Sequence, residues 1–171
     1  MQCILSALKS ESQPFIKFYN LEKDRRFSFP VFRNEDLYLL GIGMGKKYIE
    51  KRVNVFFQKM EKLPIQFINI GLAGGKKSIH TIGDIFIINK IRDENSNKFY
   101  FPDILYKHSY KESGITTVCK EITNGGAEFS DLVDMEASEI FKVCSKLSSA
   151  NNLIFIKIVS DYMDKSLENF G

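Results

Sequence analysis

The 171-residue sequence has no tryptophan, only two histidines and only three cysteines. His80 and His108 are too few and too isolated for a metal site, and the cysteines lack the CxxC spacing that would complete one. Cys3, Cys119 and Cys144 are odd in number and each has apolar neighbours, so each is expected in the core of a protein from a reducing compartment. We therefore expect no metal site and a cytoplasmic location.

Long apolar runs, basic blocks and nucleotide motifs are also missing. No stretch approaches the roughly 20 apolar residues of a membrane helix, and the N-terminal MQCILSALKSE has no basic region before its apolar run. The net charge of +3 is spread along the chain, so neither a membrane nor nucleic acid is expected as a partner. Neither GxGxxG nor GxxxxGK[ST] occurs, which excludes a dinucleotide fingerprint and a P-loop.

Hydrophobic residues make up 44% of the chain, enough for one core and one domain over residues 1–171. Apolar runs predict strands at 2–8, 26–33, 36–42, 65–70, 83–88, 114–118 and 152–159. One helix is expected to start near Ser12 and Pro14, a second to run from Gly45 to Leu63, and a third to start at a cap at Ser130 or Asp131. Residues 92–111 are expected to form a loop with short strands. This alternation is typical of the α/β class.

Three carboxylates stand where a predicted strand or helix meets a loop: Glu11, Glu136 and Asp161. Ligand sites in open α/β sheets gather at the carboxyl ends of strands, which makes these side chains candidates for catalysis. Glu136 lies between the apolar Met135 and Ala137, and a buried charge is costly without a partner. Other roles stay open: a first-turn helix acid for Glu11, a cap or salt bridge for Glu136, and a turn residue for Asp161.

Two glycine-rich segments follow predicted strands. The segment Gly43-Met44-Gly45-Lys46 opens a helix, so its free backbone N–H groups could meet an anion or a sugar hydroxyl. The segment 71–75, GLAGG, lets backbone approach a ligand closely. Either segment alone could equally be only a turn.

Taken in order, these motifs resemble the nucleoside phosphorylase and nucleosidase superfamily, most closely its methylthioadenosine/S-adenosylhomocysteine nucleosidase branch. The matching motifs are ILSAL (4–8) with Glu11, GMGK (43–46), INIGLAGG (68–75), IGDI (82–85), VDMEA (133–137) and IVSD (158–161). The resemblance implies a three-layer sandwich in which helices flank a central, twisted, mixed β-sheet. It also implies cleavage of the N-glycosidic bond of a purine-type nucleoside, without a metal or organic cofactor.

The resemblance implies roles for individual residues. Asp161 would be the general acid that protonates the leaving base, Glu11 would activate the attacking water, and Glu136 would bind the ribose hydroxyls. The remaining substrate contacts implied are Met135, Ala73, Gly74, Gly43, Ile122 and Ser160. Family members self-associate, and 15 phenylalanines in 171 residues leave apolar surface that a homodimer could cover.

The sequence also departs from the family pattern. Leu72 replaces a hydroxyl residue that helps to hold water or phosphate, so hydrolysis is favoured and phosphorolysis is left open. Ile122 stands where the branch has a base-stacking phenylalanine. Residues 92–111 are shorter than the usual substrate loop, and the chain ends ten residues after Asp161 without the usual final helix. The alternative is therefore a catalytically weak nucleoside-binding protein of the same fold.

Overall fold

The computed structural model describes residues 1–61 and 63–164 of the chain. The helices in this part are α1 (Lys9–Phe18), α2 (Ile49–Gln58) and α3 (Ala137–Cys144), and a 3-10 turn spans Ala150–Asn152. The strands are β1 (Gln2–Ser6), β2 (Glu22–Lys23), β3 (Val31–Arg33), β4 (Leu37–Gly41), β5 (Gln66–Gly74), β6 (Ile85–Asp93), β7 (Phe99–Tyr100), β8 (Lys111–Thr117), β9 (Leu132–Asp134) and β10 (Leu153–Asp161). None of the described helices is long and apolar enough to cross a membrane.

The strands form one mixed sheet, which confirms the predicted α/β class. Strand β5 pairs in parallel with both β1 and β10, and the order continues from β10 through β6, β8 and β9 back to β5. These five strands close into a barrel-like ring, from which β1, β4, β3 and β2 extend as an open arm. The expected three-layer sandwich is not confirmed, because the sheet closes on itself instead of staying open between two helical layers.

Alternating side chains bury both faces of the open arm. Ile4 and Leu39 point to the face covered by α1, while Leu5 and Leu40 belong to the main core on the opposite face. Helices α2 and α3 contribute to that core through buried residues on one face of each helix: Val53, Phe56, Ala137, Ile140 and Cys144. Helix α1 therefore covers one face of the arm and α2 the other, where Phe56 contacts Tyr38 of β4, while α3 packs beside α2 on strands of the ring.

The region around Glu136 corrects one prediction. Ser130 and Asp131 do not cap a helix; residues 132–134 form β9, and α3 begins only at Ala137, with Glu136 as its N-cap residue. The physical reason is local, because an Asp134 carboxylate oxygen accepts the N–H of Ala137 at 2.8 Å and so satisfies one of the free N–H groups at the helix start. Glu136 thus lies at the junction of strand and helix.

Other boundaries also differ from the prediction. Helix α1 starts at Lys9, three residues before Ser12, and residues 26–30 do not form a strand. Cys119 is exposed, whereas Cys3 and Cys144 are buried as expected. The expectation that the chain lacks a final helix concerns residues 165–171, which lie outside the described residues.

The glycine-rich segment 71–74 is strand and not loop. It continues β5 beside β10, with Gly71 opposite Lys157 and Gly74 opposite Asp161. Parallel strands end at the same edge of a sheet, so this pairing brings the ends of β1, β5 and β10 together.

Candidate active site

A cleft of about 360 Å³ opens at the carboxyl ends of β1, β5 and β10. The predicted site residues that line it are Glu11, Ala73, Gly74, Ile122, Met135, Glu136, Ser160 and Asp161. The other lining residues are Ala7, Leu8, Met44, Leu72, Val118, Glu121, Val133, Asp134 and Met163. The structure therefore brings the three candidate carboxylates, from residues 11, 136 and 161, into one cavity.

Gly43 is the predicted site residue that does not line the cleft. Its φ of +81° is in the left-handed region, and a side chain there would contact Arg52 and Tyr48. Gly43 therefore shapes the loop, whereas Gly45 makes the contact with the site, because its N–H donates to Glu136 at 2.7 Å. The segment does not open a helix as expected, because α2 starts at Ile49 and not at Gly45, and the glycine that contacts the carboxylate is Gly45 and not Gly43.

Glu11 is held by backbone from two elements. One carboxylate oxygen accepts the N–H groups of Ala7 and Leu8 at 2.8 and 2.9 Å, and the other accepts the N–H of Leu72 at 3.0 Å. A side chain at Gly71 would lie within 3.4 Å of both Glu11 Oε1 and Lys157 Nζ. Glu11 thus does serve the first turn of α1, and it also joins that helix to β5 at the cleft.

Glu136 is buried, with 8% of its surface exposed. Burial and then repulsion from Asp134 raise the pKa of Glu136, against the opposing effects of Lys157 and of the Gly45 N–H. Repulsion from Glu11 also raises this pKa. The carboxylate therefore lies in a poorly solvated position where positive charge on a ligand would be strongly stabilised.

Beneath Glu136 lies a buried ion pair that the sequence analysis did not identify. Lys157 Nζ is 2.9 Å from an Asp134 carboxylate oxygen, and the two side chains are 1% and 0% exposed. Asp134 also accepts hydrogen bonds from the Thr117 hydroxyl and the Ala137 N–H. The available signal was a lysine inside the apolar strand 152–159, which is rare unless the ammonium group has a partner.

Asp161 lies at the end of β10 with both carboxylate oxygens engaged. One accepts the Ser160 hydroxyl at 2.6 Å and the other accepts the N–H of Met163 at 2.9 Å. Met163 itself has a φ of +56°, in the left-handed region, so the chain turns directly after this hydrogen bond. The local turn therefore fixes the orientation of the candidate acid.

The part of the cleft beside Asp161 is apolar. Val118, Val133 and Met163 are buried together there, with Ile122 and Met135 packed against them. A side chain at Gly74 or at Gly126 would meet Met163 atoms at 2.5 Å, so both glycines make room for this methionine. An apolar wall beside one carboxylate suits a flat heterocycle with a polar edge.

The charge of the cleft has one sign. The charged lining residues are Glu11, Glu121, Asp134, Glu136 and Asp161, and none of the described residues that line the cleft is a lysine or arginine. Leu72 at the cleft is apolar and 38% exposed.

The two histidines lie outside this lining. His80 accepts the N–H of Lys76 at 2.9 Å and packs against Phe86, while His108 lies 3.4 Å from Glu112. Across the described ranges 1–61 and 63–164, no group of three or more His, Cys, Asp or Glu residues could hold a metal ion.

No family model matches the sequence, and a search of curated proteins finds no match. Solved structures do match, and several are 5′-methylthioadenosine/S-adenosylhomocysteine (MTA/SAH) nucleosidases. The Neisseria meningitidis enzyme in complex with methylthio-immucillin-A has a TM-score of 0.78 and 17% identity, over 98% of this chain and 88% of its own. The Colwellia psychrerythraea enzyme in complex with adenine has a TM-score of 0.77 and 16% identity, over 96% of this chain and 83% of its own.

A variant of the Chlamydia trachomatis nucleosidase bound to MTA has a TM-score of 0.74 and 18% identity, over 96% of this chain and 84% of its own. At these identities the likeness establishes a shared fold. The chain thus has the fold of the MTA/SAH nucleosidases along most of the length of both proteins.

Proposed function

We propose that the chain is a nucleosidase that hydrolyses the N-glycosidic bond of a purine-type nucleoside. The observation that carries this proposal is the meeting of Glu11, Glu136 and Asp161 in one cleft of a nucleosidase fold. The related structures hold adenine, MTA or methylthio-immucillin-A, which supports an adenosine-like ligand here as well. No metal or organic cofactor takes part in the proposed reaction.

Glu136 stabilises the developing positive charge. As the glycosidic bond breaks, the ribose gains oxocarbenium character and the base gains negative charge. A carboxylate that is buried and already held by the Gly45 N–H needs little reorganisation when that charge forms. Glu136 also accepts hydrogen bonds from the ribose hydroxyls.

Asp161 acts as the general acid at the base. Protonation of a ring nitrogen lets the base leave as a neutral molecule, which removes the negative charge from the leaving group. The hydrogen bonds from Ser160 and Met163 hold the carboxyl group in one orientation beside the apolar wall. Ile122 and Met135 pack on the base from that wall.

Glu11 orients and deprotonates the attacking water. Its three backbone donors fix the carboxylate at the cleft, and the oxygen bonded to Leu72 has a further lone pair for the water. The proton passes from water to Glu11 as the oxygen bonds to the anomeric carbon of the ribose.

Water is favoured over phosphate as the nucleophile because of the charge of the cleft. A phosphate would have to enter among carboxylates with no lysine or arginine among the described lining residues, and Leu72 offers it no side-chain donor. Water carries no charge and meets no such barrier. The proposal is therefore a hydrolase and not a phosphorylase.

The proposal is tested by chromatographic detection of free base after incubation with MTA and adenosine, with and without phosphate. We expect base release without phosphate, its loss in Asp161→Asn, and no change in Asp36→Asn, an exposed aspartate that lies outside the cleft lining. Strict dependence of base release on phosphate would refute the proposal of hydrolysis. Calorimetric binding of nucleoside without any release would favour the catalytically weak binding protein.

We also propose that the chain forms a homodimer in the cytoplasm. Phe99, Phe101 and Leu105 are 49%, 61% and 77% exposed, and a partner surface would cover this apolar segment. Analytical sedimentation at micromolar concentration is expected to give the mass of two chains. A single-chain mass would exclude the dimer at that concentration.

A further inference from the structure

Asp93 is a buried carboxylate that does not line the cleft. It lies at the end of β6 and is 8% exposed. One of its oxygens accepts both the Lys46 ammonium group at 2.6 Å and the Ser138 hydroxyl at 2.8 Å, and the other accepts the N–H of Ser96 at 3.0 Å. One oxygen atom thus links two segments that are distant in the sequence.

Both segments, the loop with Lys46 and the start of α3 with Ser138, position Glu136. Lys46 directly follows Gly45, whose N–H donates to the Glu136 carboxylate. Ser138 lies in the first turn of α3, two residues after Glu136, the N-cap residue of that helix. The position of the Glu136 carboxylate therefore depends on a loop and a helix that are joined at Asp93.

The charge of Asp93 suits this role. Burial alone would raise the pKa of Asp93, but the hydrogen bonds from Lys46, Ser96 and Ser138 outweigh burial and bring its pKa below the usual range. The carboxylate stays ionised over the physiological range and keeps hold of the Lys46 ammonium group.

The same residues connect to the ion pair beneath the cleft. The N–H of Ser138 donates to the Thr117 hydroxyl oxygen at 3.0 Å, and that hydroxyl donates to Asp134 at 2.7 Å. A continuous polar network therefore runs from Lys46 through Asp93 to Asp134 and Lys157. Networks of this kind hold their members in a single arrangement when every group is satisfied.

We propose that Asp93 is a positioning residue for Glu136: it fastens the loop of Gly45 and the start of α3 together and so sets where that carboxylate meets the ribose. The proposal rests on the proposed function for its effect on substrate. Its structural part, that Asp93 fastens the loop, holds independently of any reaction. When Asp93 is neutral, Lys46 is released, the loop moves, and Glu136 loses the Gly45 N–H.

The structural part is tested by amide hydrogen exchange in the substrate-free protein. In Asp93→Asn and in Lys46→Met, the Gly45 amide is expected to exchange roughly 10-fold or more faster than in the wild type, because a charge-assisted hydrogen bond to the loop is lost. Asp131→Asn is the matched control, since it breaks a different Lys–Asp pair, that of Asp131 with Lys90. Unchanged exchange at Gly45 in both test variants would overturn the proposal.

The functional part is tested by comparing a ribonucleoside with its 2′-deoxy analogue. Ser138→Ala and Lys46→Met are expected to lower the ratio of the two kcat/KM values by roughly 10-fold, because the misplaced carboxylate recognises the hydroxyls less well. Lys46→Arg, which keeps the charge, is expected to retain most of the ratio.

In a Glu136→Gln background, the Lys46 and Ser138 changes are expected to have no further effect on the ratio. Additive effects there would refute positioning through Glu136. Absence of any nucleoside cleavage by the wild type would instead count against the proposed function, and the exchange experiment would still decide the role of Asp93.

Discussion

Replacement of Lys157 by methionine is the most informative single change, because it leaves the Asp134 carboxylate buried without its cation. Removal of one partner of a buried ion pair costs about 3–5 kcal/mol. Asp134 keeps two hydrogen bonds, from Thr117 and from the Ala137 N–H, so we expect the lower end, about 3 kcal/mol. For a chain of 171 residues this lowers Tm by about 6–12 °C.

Urea unfolding and thermal melting at pH 7 measure this cost. The matched control is the double variant Lys157→Met with Asp134→Asn, which has no unpaired charge and is expected to recover most of the lost stability. A loss below about 1 kcal/mol in Lys157→Met, or no recovery in the double variant, would show that the buried Asp134 carboxylate does not depend on Lys157.

The same two residues act in opposite directions on Glu136. Lys157 lowers the pKa of Glu136 and Asp134 raises it. In the proposed mechanism, activity requires the ionised form of Glu136, so the acid limb of the kcat/KM profile is expected to follow this pKa. The limb is expected to move to higher pH in Lys157→Met and to lower pH in Asp134→Asn, and shifts in the same direction would refute the assignment.

Two further changes test the walls of the cleft. Gly74→Ala puts a Cβ 2.5 Å from Met163 Cγ and 3.3 Å from Asp161 Oδ1, so we expect a loss of about 1–3 kcal/mol in urea unfolding and a displaced, less active acid. Wild-type stability and activity in this variant would mean that the packing around Met163 is loose. Leu72→Ser restores a hydroxyl but leaves the cleft acidic, so base release is expected to stay independent of phosphate. Phosphate dependence in that variant would show that Leu72 alone excludes the anion.

The parts of the site that could be predicted from the sequence are those with local signals. Glu11 and Asp161 each follow an apolar run at a strand end, and Glu136 is a charge among apolar neighbours. These patterns depend on residues within a few positions. The structure brings all three into the cleft, and the roles proposed for them await the experiments above.

The parts that could not be predicted depend on pairing between distant segments. The sequence analysis did not single out Lys157, and its partner Asp134 is 23 positions earlier in the sequence; the two meet because β10 and β9 both pair with β5. Asp93 lies where the sequence loses its periodicity, so nothing local distinguishes it from a surface acid. The ring closes where β5 pairs with β9, through the single residue pair Gly74 and Val133. No hydrophobic pattern in the sequence predicts this pairing.

The central position of β5 has a consequence for how the protein folds. Its neighbours β1 and β10 come from opposite ends of the described chain, so Glu11 and Asp161 meet only after a separation of 150 positions is closed. Closing so long a loop costs entropy, and sheets built on distant pairings fold slowly. A partly folded chain can therefore hold local hairpins and helices while it has no cleft. Recovery of activity in a refolding experiment is therefore expected to require both long-range pairings, that of β1 with β5 and that of β10 with β5.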